Sequence, residues 1–238
     1  AADFDNDGDI DLVVGNMGTN SFFKPTKESP IVLYLKDFNG DGQVDPILGY
    51  TKEGKEYPVA PRDELLTQFR FLRTKFGSYD HYAGKTIQEI FGKTLTGASL
   101  EKKEVYTLAS VFLENTGNGM FSIKPLPEQA QWSSVSSIIS GDYNNDGNLD
   151  LLMGGNFYDV KPSLGGRYDG SYGWYMKGNG KGSFLAENLY ESGFVADGEV
   201  RDIGQVILPG GHRLIIVARN NQPVLFFRAN EEAIISNK

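Results

Sequence analysis

A nine-residue acidic pattern occurs three times in this chain and constrains its fold more than any other feature. The copies read DFDNDGDID from Asp3 to Asp11, DFNGDGQVD from Asp37 to Asp45 and DYNNDGNLD from Asp142 to Asp150. All three fit D-x-[DN]-x-D-G-x-x-D, with an aromatic residue at position 2 and an apolar residue at position 8. A single copy is compatible with a solvated turn. Three matching copies predict one structural unit that is used repeatedly.

The same runs account for the acidity of the protein. The chain has 238 residues and a net charge of -8, from 31 acidic and 23 basic residues. Eleven of the acidic residues lie in the three runs, which leaves 20 acids against 23 bases elsewhere. The negative charge is therefore local and needs a local partner. Because no basic stripe or basic-aromatic motif is visible, nucleic acid is not an expected partner.

The order of the oxygen-bearing residues predicts calcium loops. Ca²⁺ takes six to eight oxygen ligands at about 2.3–2.6 Å, and a tightly coiled loop can supply them from alternate positions. We expect side-chain oxygens from positions 1, 3, 5 and 9, a backbone carbonyl from position 7, and a sharp bend at the glycine in position 6. The expected ligands of up to three calcium ions are Asp3, Asp5, Asp7, Asp9 and Asp11; Asp37, Asn39, Asp41, Gln43 and Asp45; and Asp142, Asn144, Asp146, Asn148 and Asp150.

An EF-hand is excluded by the residues C-terminal to each loop. An EF-hand closes with a bidentate Glu at position 12 between two helices, whereas position 12 here is Val14, Leu48 or Met153. Each closing Asp is instead succeeded by a short apolar run that ends in glycine, which predicts a buried strand. Strand-like runs also precede the second and third loops, at 31–35 and 135–139. The predicted unit is therefore strand, calcium loop, strand.

Further repeats lie outside the three loops. Residues 135–156 align without gaps on residues 200–221, which predicts a fourth unit. In that unit the ligand positions hold Ile207, Pro209, Gly211 and Ile215, so we expect a hairpin without metal. Two similar segments, 112–121 and 175–184, each predict a strand that enters a glycine-rich hairpin and closes on Phe.

The three loops and the two hairpin segments together resemble FG-GAP or VCBS repeats. Such repeats build calcium-binding β-propellers, including the head of integrin α-subunits and many large secreted bacterial proteins. The resemblance covers residues 1–50 and about 105–228, and it implies an all-β, propeller-type fold of about four blades with calcium between adjacent strands. A propeller of this kind usually has seven blades, and no strand precedes Asp3. The resemblance therefore implies a fragment of a seven-bladed propeller, with the remaining blades of the parent chain as partners.

The domain organisation is set by where the repeats stop. We expect propeller blades in residues 1–50 and 105–238, and a mainly helical insertion in residues 51–104. A helix is predicted from Pro61 to just before Gly77, with Leu65, Leu66, Phe69, Leu72 and Phe76 on its apolar face. A second short helix is predicted between Thr86 and Gly92. The favoured role of the insertion is a cap that packs helices on the sheet edge, and the alternative is a specific functional site.

No catalytic group of residues is recognisable in the sequence. The chain has no cysteine and two histidines, which excludes disulfides, thiol catalysis and thiolate metal sites, and no apolar run reaches the length of a transmembrane helix. We therefore predict a non-enzymatic, calcium-stabilised module of a larger secreted, periplasmic or cell-surface bacterial protein, which serves adhesion, binding of a protein or glycan ligand, or scaffolding. The alternative is a glycan-directed enzyme or carbohydrate-binding domain that uses the insertion and the Tyr168–Tyr175 loop. Those aromatic residues could also simply pack between blades.

Overall fold

The fold is mostly β and consists of four separate antiparallel sheets. The computed structural model describes residues 1–229, so positions 230–238 of the predicted blade segment lie outside the described residues. Within the described range no helix is both long and apolar enough to cross a membrane. The β content agrees with the sequence prediction, because alternating and continuous apolar runs separated by glycine favour strands.

The elements are numbered here in chain order. The strands are β1 Leu12–Val14, β2 Ile31–Lys36, β3 Asp45–Lys52, β4 Lys55–Pro58, β5 Glu101–Val105, β6 Val111–Asn115, β7 Phe121–Pro125, β8 Val135–Gly141, β9 Asp150–Gly155, β10 Trp174–Gly178, β11 Phe184–Ala186, β12 Val200–Ile207, β13 Arg213–Arg219 and β14 Leu225–Arg228. The helices are α1 Arg62–Gln68, α2 Tyr79–Tyr82, α3 Ile87–Phe91 and α4 Leu189–Ser192.

The chain divides into two compact units. Unit 1 comprises residues 1–22 and the chain from residue 109 onward, and unit 2 comprises residues 23–108. Unit 2 therefore holds β2 and β3, which flank the second acidic loop, together with the helical segment. The predicted insertion covered residues 51–104, so unit 2 begins earlier in the chain than the predicted insertion, at residue 23.

Unit 1 contains three sheets. Sheet 1 has the strand order β1-β6-β7, sheet 2 has β11-β10-β9-β8, and sheet 3 has β12-β13-β14. The two glycine-rich segments form the predicted hairpins: Asn115 pairs with Phe121 between β6 and β7, and Gly178 pairs with Phe184 between β10 and β11. Both hairpins end on an edge strand, β7 in sheet 1 and β11 in sheet 2, as the sequence predicted.

Sheet 2 lies between two hydrophobic cores. Leu151 and Met153 of β9 belong to a core shared with sheet 1, and Leu152, which points the other way, belongs to a core shared with sheet 3. The strand β9 is accordingly buried on both faces, as predicted. The prediction of full burial is wrong for β1 and β3, the strands after the other two loops, because each leaves one face accessible to solvent.

The internal repeat seen in the sequence is present in the structure. The strands β8 and β12 begin at the aligned residues Val135 and Val200, and each ladder is interrupted by an irregularity directly after that residue. The aligned Asn156 and Asn221 both have positive φ angles, of 85° and 53°. The fourth unit forms the predicted hairpin, with Ile207 opposite Arg213. Matching irregularities at matching positions support one ancestral strand pair.

Unit 2 is a sheet with helices packed on one of its faces. Its sheet, sheet 4, has the strand order β4-β3-β2-β5. Val32 and Ile47, on one face of that sheet, share a core with Leu65, Leu72 and other buried side chains of the helical segment. The apolar residues predicted for one helix face are therefore buried against a sheet, as a cap requires. The helices cover a face of sheet 4, however, and not its edge as predicted, because their apolar side chains pack on the central strands β2 and β3.

The predicted helix from Pro61 to Gly77 is shorter than expected. The helix α1 ends at Gln68 because Phe69 leaves helical geometry, with φ -116° and ψ 81°, and a single 3₁₀ turn comes next at Arg70–Leu72. This break lets Phe69 turn into the core, where its ring lies 6.0 Å from Phe38 and 5.2 Å from Phe91. The second helix, α3, is confirmed; Thr86 begins it with a capping box.

We expect replacement of Phe69 by alanine to destabilise unit 2 selectively. Phe69 is fully buried, so Phe69→Ala should lower the free energy of unfolding by about 3–5 kcal/mol. Hydrogen exchange should accelerate in peptides from residues 23–108. The matched control is Phe71→Ala, because Phe71 is 45% exposed and its loss should change stability by less than about 0.5 kcal/mol. Equal effects of the two substitutions in urea unfolding would contradict the assigned core.

Candidate metal centres

The three acidic loops share one hydrogen-bond frame. Loop 1 is residues 3–11, loop 2 residues 37–45 and loop 3 residues 142–150. In each loop the position-1 aspartate, which is Asp3, Asp37 or Asp142, accepts the backbone N–H groups of positions 5 and 6 on its two oxygens. Position 3 also accepts the N–H of position 5, and position 5 accepts the N–H of position 7. The sequence repeat is therefore a repeat of geometry.

Two positions in each loop adopt left-handed backbone geometry. Position 6 is glycine with φ angles of 97°, 85° and 88°, as the sequence predicted. Position 4 is also left-handed, with φ of 61° at Asn6, 80° at Gly40 and 58° at Asn145. Sequence reasoning left position 4 unassigned, although Asn and Gly are the residues that tolerate this geometry best. The identity of position 4 is thus a second signature of the loop.

The closing aspartate of each loop is buried and clamps the loop shut. Asp11 and Asp150 are fully buried and Asp45 is 8% exposed. One oxygen of each accepts the backbone N–H of the aromatic residue at position 2, at 3.0, 3.0 and 3.1 Å in loops 1 to 3. A buried carboxylate is costly unless it is hydrogen-bonded, and these bonds meet that need.

The other oxygen of the closing aspartate reaches beyond the loop. Asp11 accepts the N–H of Asn115 at 2.8 Å, and Asp150 accepts the N–H of Gly178 at 2.9 Å. Asn115 and Gly178 occupy the same position in the two glycine-rich hairpin segments. In unit 2 this partner is the side-chain amide of Gln68, at 3.1 Å from Asp45. Sequence reasoning missed these partners, because two of them donate through the backbone.

Loop 1 brings three carboxylates together. Single oxygens of Asp3, Asp5 and Asp11 all lie within 4.8 Å of one another. A calcium ion with ligand distances of about 2.3–2.6 Å spans oxygens at that separation. Partial burial and the charges of Asp11 and Asp7 raise the pKa of Asp5, which is what crowded carboxylates without a counter-charge show. Loop 1, which no predicted strand precedes, thus brings three carboxylates close together. An isolated β-bridge between Ala2 and Asp11 holds the two ends of this loop.

The hydrogen-bond frame also sets the protonation behaviour of loops 2 and 3. Backbone N–H groups, first that of Gly42, lower the pKa of Asp37, and the N–H of Asn148 lowers the pKa of Asp146. Burial raises the pKa of Asp150 against the opposing effect of its three hydrogen bonds. Loops 2 and 3 therefore each combine an exposed acid of lowered pKa with a buried, hydrogen-bonded one.

The predicted ligand positions differ in their surroundings. Positions 1, 3 and 5 lie along the outer turn of each loop, and position 9 lies beneath it. The position-7 residues Asp9, Gln43 and Asn148 use their N–H groups inside the frame. All donors are carboxylate, amide or carbonyl oxygens, the set that suits Ca²⁺ and other hard cations. The donor chemistry of each loop therefore fits calcium.

The aromatic residue at position 2 anchors each loop in a core. Phe4 contacts Phe112 and Phe184 edge-on, with ring centroids 6.1 and 5.6 Å apart. Phe38 packs in the core of unit 2. Tyr143 packs edge-on against Tyr175, at 6.4 Å between ring centroids. Each acidic loop is therefore held in place by a packed aromatic side chain as well as by its closing aspartate.

The fourth unit supports loop 3 instead of forming a fourth acidic loop. Its hairpin residue Arg213 donates from Nη1 to the carbonyl of Asp142 at 2.8 Å and stacks over the ring of Tyr143. A cationic side chain beside an acidic loop offsets part of its charge. The alignment placed apolar residues where ligands lie elsewhere, but it gave no indication that Arg213 would reach the neighbouring loop.

The aromatic tract Tyr168–Tyr175 packs mostly inward. Tyr168, Trp174 and Tyr175 are each 8% exposed, and only Tyr172 among its aromatic residues is exposed. The cleft beside this tract has a volume of about 290 Å³ and is lined by a single carboxylate, that of Asp169. This arrangement agrees with the simpler expectation that the aromatic residues pack within the fold.

A scan against models of known protein families gives no match, and a search of curated proteins gives none. The resemblance to FG-GAP or VCBS repeats therefore stays a prediction based on the motifs and their geometry.

We expect the aspartate clamp to stabilise the fold without any metal. Asp150→Asn retains the shape but turns an amide group toward N–H and O–H donors, so at least one buried donor loses its partner. In the presence of EDTA this should lower the free energy of unfolding by about 1–3 kcal/mol. Both tryptophans lie in unit 1, so fluorescence during urea unfolding reports on it.

The control for this measurement is Asp146→Asn. Asp146 is exposed, and an asparagine there can still accept the N–H of Asn148, so stability in EDTA should change by less than about 0.5 kcal/mol. If Asp150→Asn were as stable as the wild type in EDTA, the clamp would have no structural role.

Proposed function

We propose that this protein is a non-enzymatic, calcium-stabilised β-propeller module of the FG-GAP or VCBS type, which serves extracellular adhesion, binding or scaffolding. The observation that carries the proposal is the shared frame of the three acidic loops. Each repeats the same hydrogen bonds, the same two left-handed positions and the same buried closing aspartate. Such a frame presents oxygen ligands only, which matches the preference of calcium.

The charge of the loops gives calcium a physical role. Three bound ions would change the formal charge of the chain from -8 to about -2 and would remove most of the repulsion within the loops. The ligands at positions 1, 3, 5 and 9 would hold the ion, and in loop 1 the oxygens of Asp3, Asp5 and Asp11 already lie close enough together to receive it. Calcium would then tie the strand ends on either side of each loop together.

The packing of unit 1 supports a propeller-type arrangement. Sheets 1, 2 and 3 bury side chains against one another in two successive cores, as the blades of a propeller do. The outer face of sheet 1 is also apolar, because Leu12, Leu113 and Ile123 lie side by side across its strands. The outer face of sheet 3 carries Leu214, Val206 and Phe226.

We propose that these two outer faces pack against further sheets. Ile123 is 67% exposed and Phe226 is 63% exposed, and contiguous exposed apolar surface usually marks an interaction site. The occupant in the parent protein is a neighbouring blade, and in the isolated chain it is a second copy. The remaining blades of a longer chain are therefore the first partners expected.

The location is inferred from the chemistry of the loops. Calcium sites built from short loops of this kind suit compartments with millimolar calcium, where weak sites are filled. We therefore place the module in a secreted, periplasmic or cell-surface protein of bacterial type. The competing function, a glycan-directed enzyme at the insertion and the Tyr168–Tyr175 loop, has less support, because the cleft there is lined by one carboxylate, and glycoside hydrolysis ordinarily needs two.

We expect calcium to raise the thermal stability of the chain and EDTA to lower it. A site filled at about one hundred times its Kd contributes about 2.7 kcal/mol, so melting midpoints in calcium and in EDTA should differ clearly. Titration calorimetry should show three ions per chain. Asp5→Ala, Asp41→Ala and Asp146→Ala should each remove one ion, while Asp159→Ala, an exposed substitution outside the loops, should remove none. Equal midpoints with and without EDTA would refute the calcium assignment.

We expect the isolated chain to associate through its outer sheet faces. Sedimentation velocity should show a molecular mass that increases with protein concentration. Ile123→Lys and Phe226→Lys should each shift the protein toward monomer, because a charge cannot be buried there without a partner. Leu185→Lys is the control, since Leu185 is 71% exposed on sheet 2, outside both faces. A wild-type protein that stays monomeric at high concentration would show that the two faces need no cover.

A further inference from the structure

A large cavity lies between sheets 2 and 3, and it is separate from the cleft beside Tyr168 and Asp169. Its volume is about 780 Å³, within the range of small-molecule sites. One wall is formed by β9 and β10, through Leu152 and Tyr175, and the other by β13 and β14, through Ile215 and Phe227. The short helix α4 borders one side, and loop 3 contributes Tyr143 and Asn144. The cavity therefore has walls supplied by rigid strands.

The aromatic rings of this cavity are held in place. The hydroxyl of Tyr175 donates to Asp150 at 2.8 Å, and the hydroxyl of Tyr143 bonds to Gln205 at 3.3 Å. The rings of Phe194 and Phe227 pack against each other at 4.9 Å between centroids. The two phenol groups are therefore already engaged. Tyr175 and Phe194 are buried and form the floor of the cavity, and the half-buried rings of Tyr143 and Phe227 offer fixed surfaces to a ligand. Fixed aromatic faces lower the entropy cost of binding.

The polar groups of the cavity are balanced in charge. Lys177 and Glu187 form an ion pair, and Glu191 lies beside Glu187. The remaining charged residue of the lining is Arg228, so the lining contains two acids and two bases. Lys177 lowers the pKa of Glu187, and Glu187 in turn raises the pKa of Glu191. A cavity without net charge selects neither an anion nor a cation.

One exposed aromatic residue stands at the mouth of this cavity. Tyr190 is 97% exposed on α4 and borders the cavity. An aromatic ring that gains nothing from the core is commonly used in recognition, because its face is apolar and its hydroxyl is polar. The Tyr190 ring would extend the aromatic lining outward, next to the carboxyl group of Glu191.

We propose that this cavity binds a neutral saccharide. A sugar ring has an apolar C–H face that suits aromatic surfaces, and its hydroxyls can both donate to Glu187 or Glu191 and accept from Lys177. A purely apolar ligand would leave the ion pair desolvated and unmatched, and a phosphorylated ligand would meet no net positive charge. The inference deepens the binding role proposed above by naming a ligand class, and it does not require that the loops hold calcium.

The acid pair points to binding and not to hydrolysis. Glycosidases hold their two carboxyl groups about 5 Å or more apart so that they can act on opposite sides of the sugar. Glu187 and Glu191 lie next to each other, and Glu187 is held in an ion pair with Lys177, so the two carboxyl groups do not face a sugar from opposite sides. The cavity is therefore assigned as a recognition site.

The test is saturation-transfer NMR with cellobiose, maltose, lactose and N-acetyllactosamine as probes. At least one should bind to the wild-type chain, and glucuronic acid and glucosamine, which carry charge, should bind more weakly. Tyr190→Ala and Glu191→Ala should each weaken binding by about tenfold without changing the melting temperature, since both residues are exposed. Tyr172→Ala is the control, because Tyr172 is an exposed tyrosine that does not line this cavity.

The outcomes separate this site from the alternatives. Absence of binding by all four neutral probes would overturn the inference, and so would binding that Tyr172→Ala abolishes while Tyr190→Ala leaves it intact. The measurement is made both in calcium and in EDTA. A chain that binds calcium in calorimetry but no saccharide would refute this inference alone, and saccharide binding that persists in a chain without calcium affinity would refute only the calcium assignment.

Discussion

The buried aspartate that closes each acidic loop is the interaction on which the rest of the structure depends. Its two oxygens join the start of the loop to a neighbouring element: a hairpin strand for Asp11 and Asp150, and the end of α1 for Asp45. The pleated ladders of a sheet cannot by themselves orient a long polar turn. The clamp does so, and it leaves the outer oxygens of the loop directed to solvent, where a cation can reach them.

Local pattern made the loops predictable, because every feature of their frame lies within nine consecutive residues. The glycine at position 6 and the spacing of oxygen-bearing side chains gave the turn, and the apolar runs gave the strands. The distant backbone partners of the closing aspartates, Asn115 and Gly178, could not be predicted from the sequence. Any residue except proline has a backbone N–H group to donate, so such a donor leaves no pattern in the side chains. The position-4 residues were within reach, because Asn and Gly in all three copies indicate a left-handed turn.

The helical segment shows where periodicity misleads. Leu65, Leu72 and Phe76 have the spacing of one amphipathic helix, and all three are buried, but the backbone breaks at Phe69. The large ring gains more from the contacts with Phe38 and Phe91 than one more helical turn would supply. Apolar spacing therefore predicted the buried residues correctly and the extent of the helix incorrectly, because tertiary packing overrides a weak local preference.

In the sequence, unit 2 is inserted between β1 and β6, and this order along the chain affects how the protein folds. Val14 and Val111 pair in sheet 1 although about 97 positions separate them, so closing this sheet first would carry the entropy of a long loop. Within unit 2, Ile31 pairs with Val105. Once that pair has formed, only about 23 flexible positions remain between Val14 and Val111, a saving of about 1.3 kcal/mol in loop-closure entropy. The inserted unit thus lowers the effective contact order of the sheet that it interrupts, and folding in the order unit 2, then sheet 1, is the less costly route.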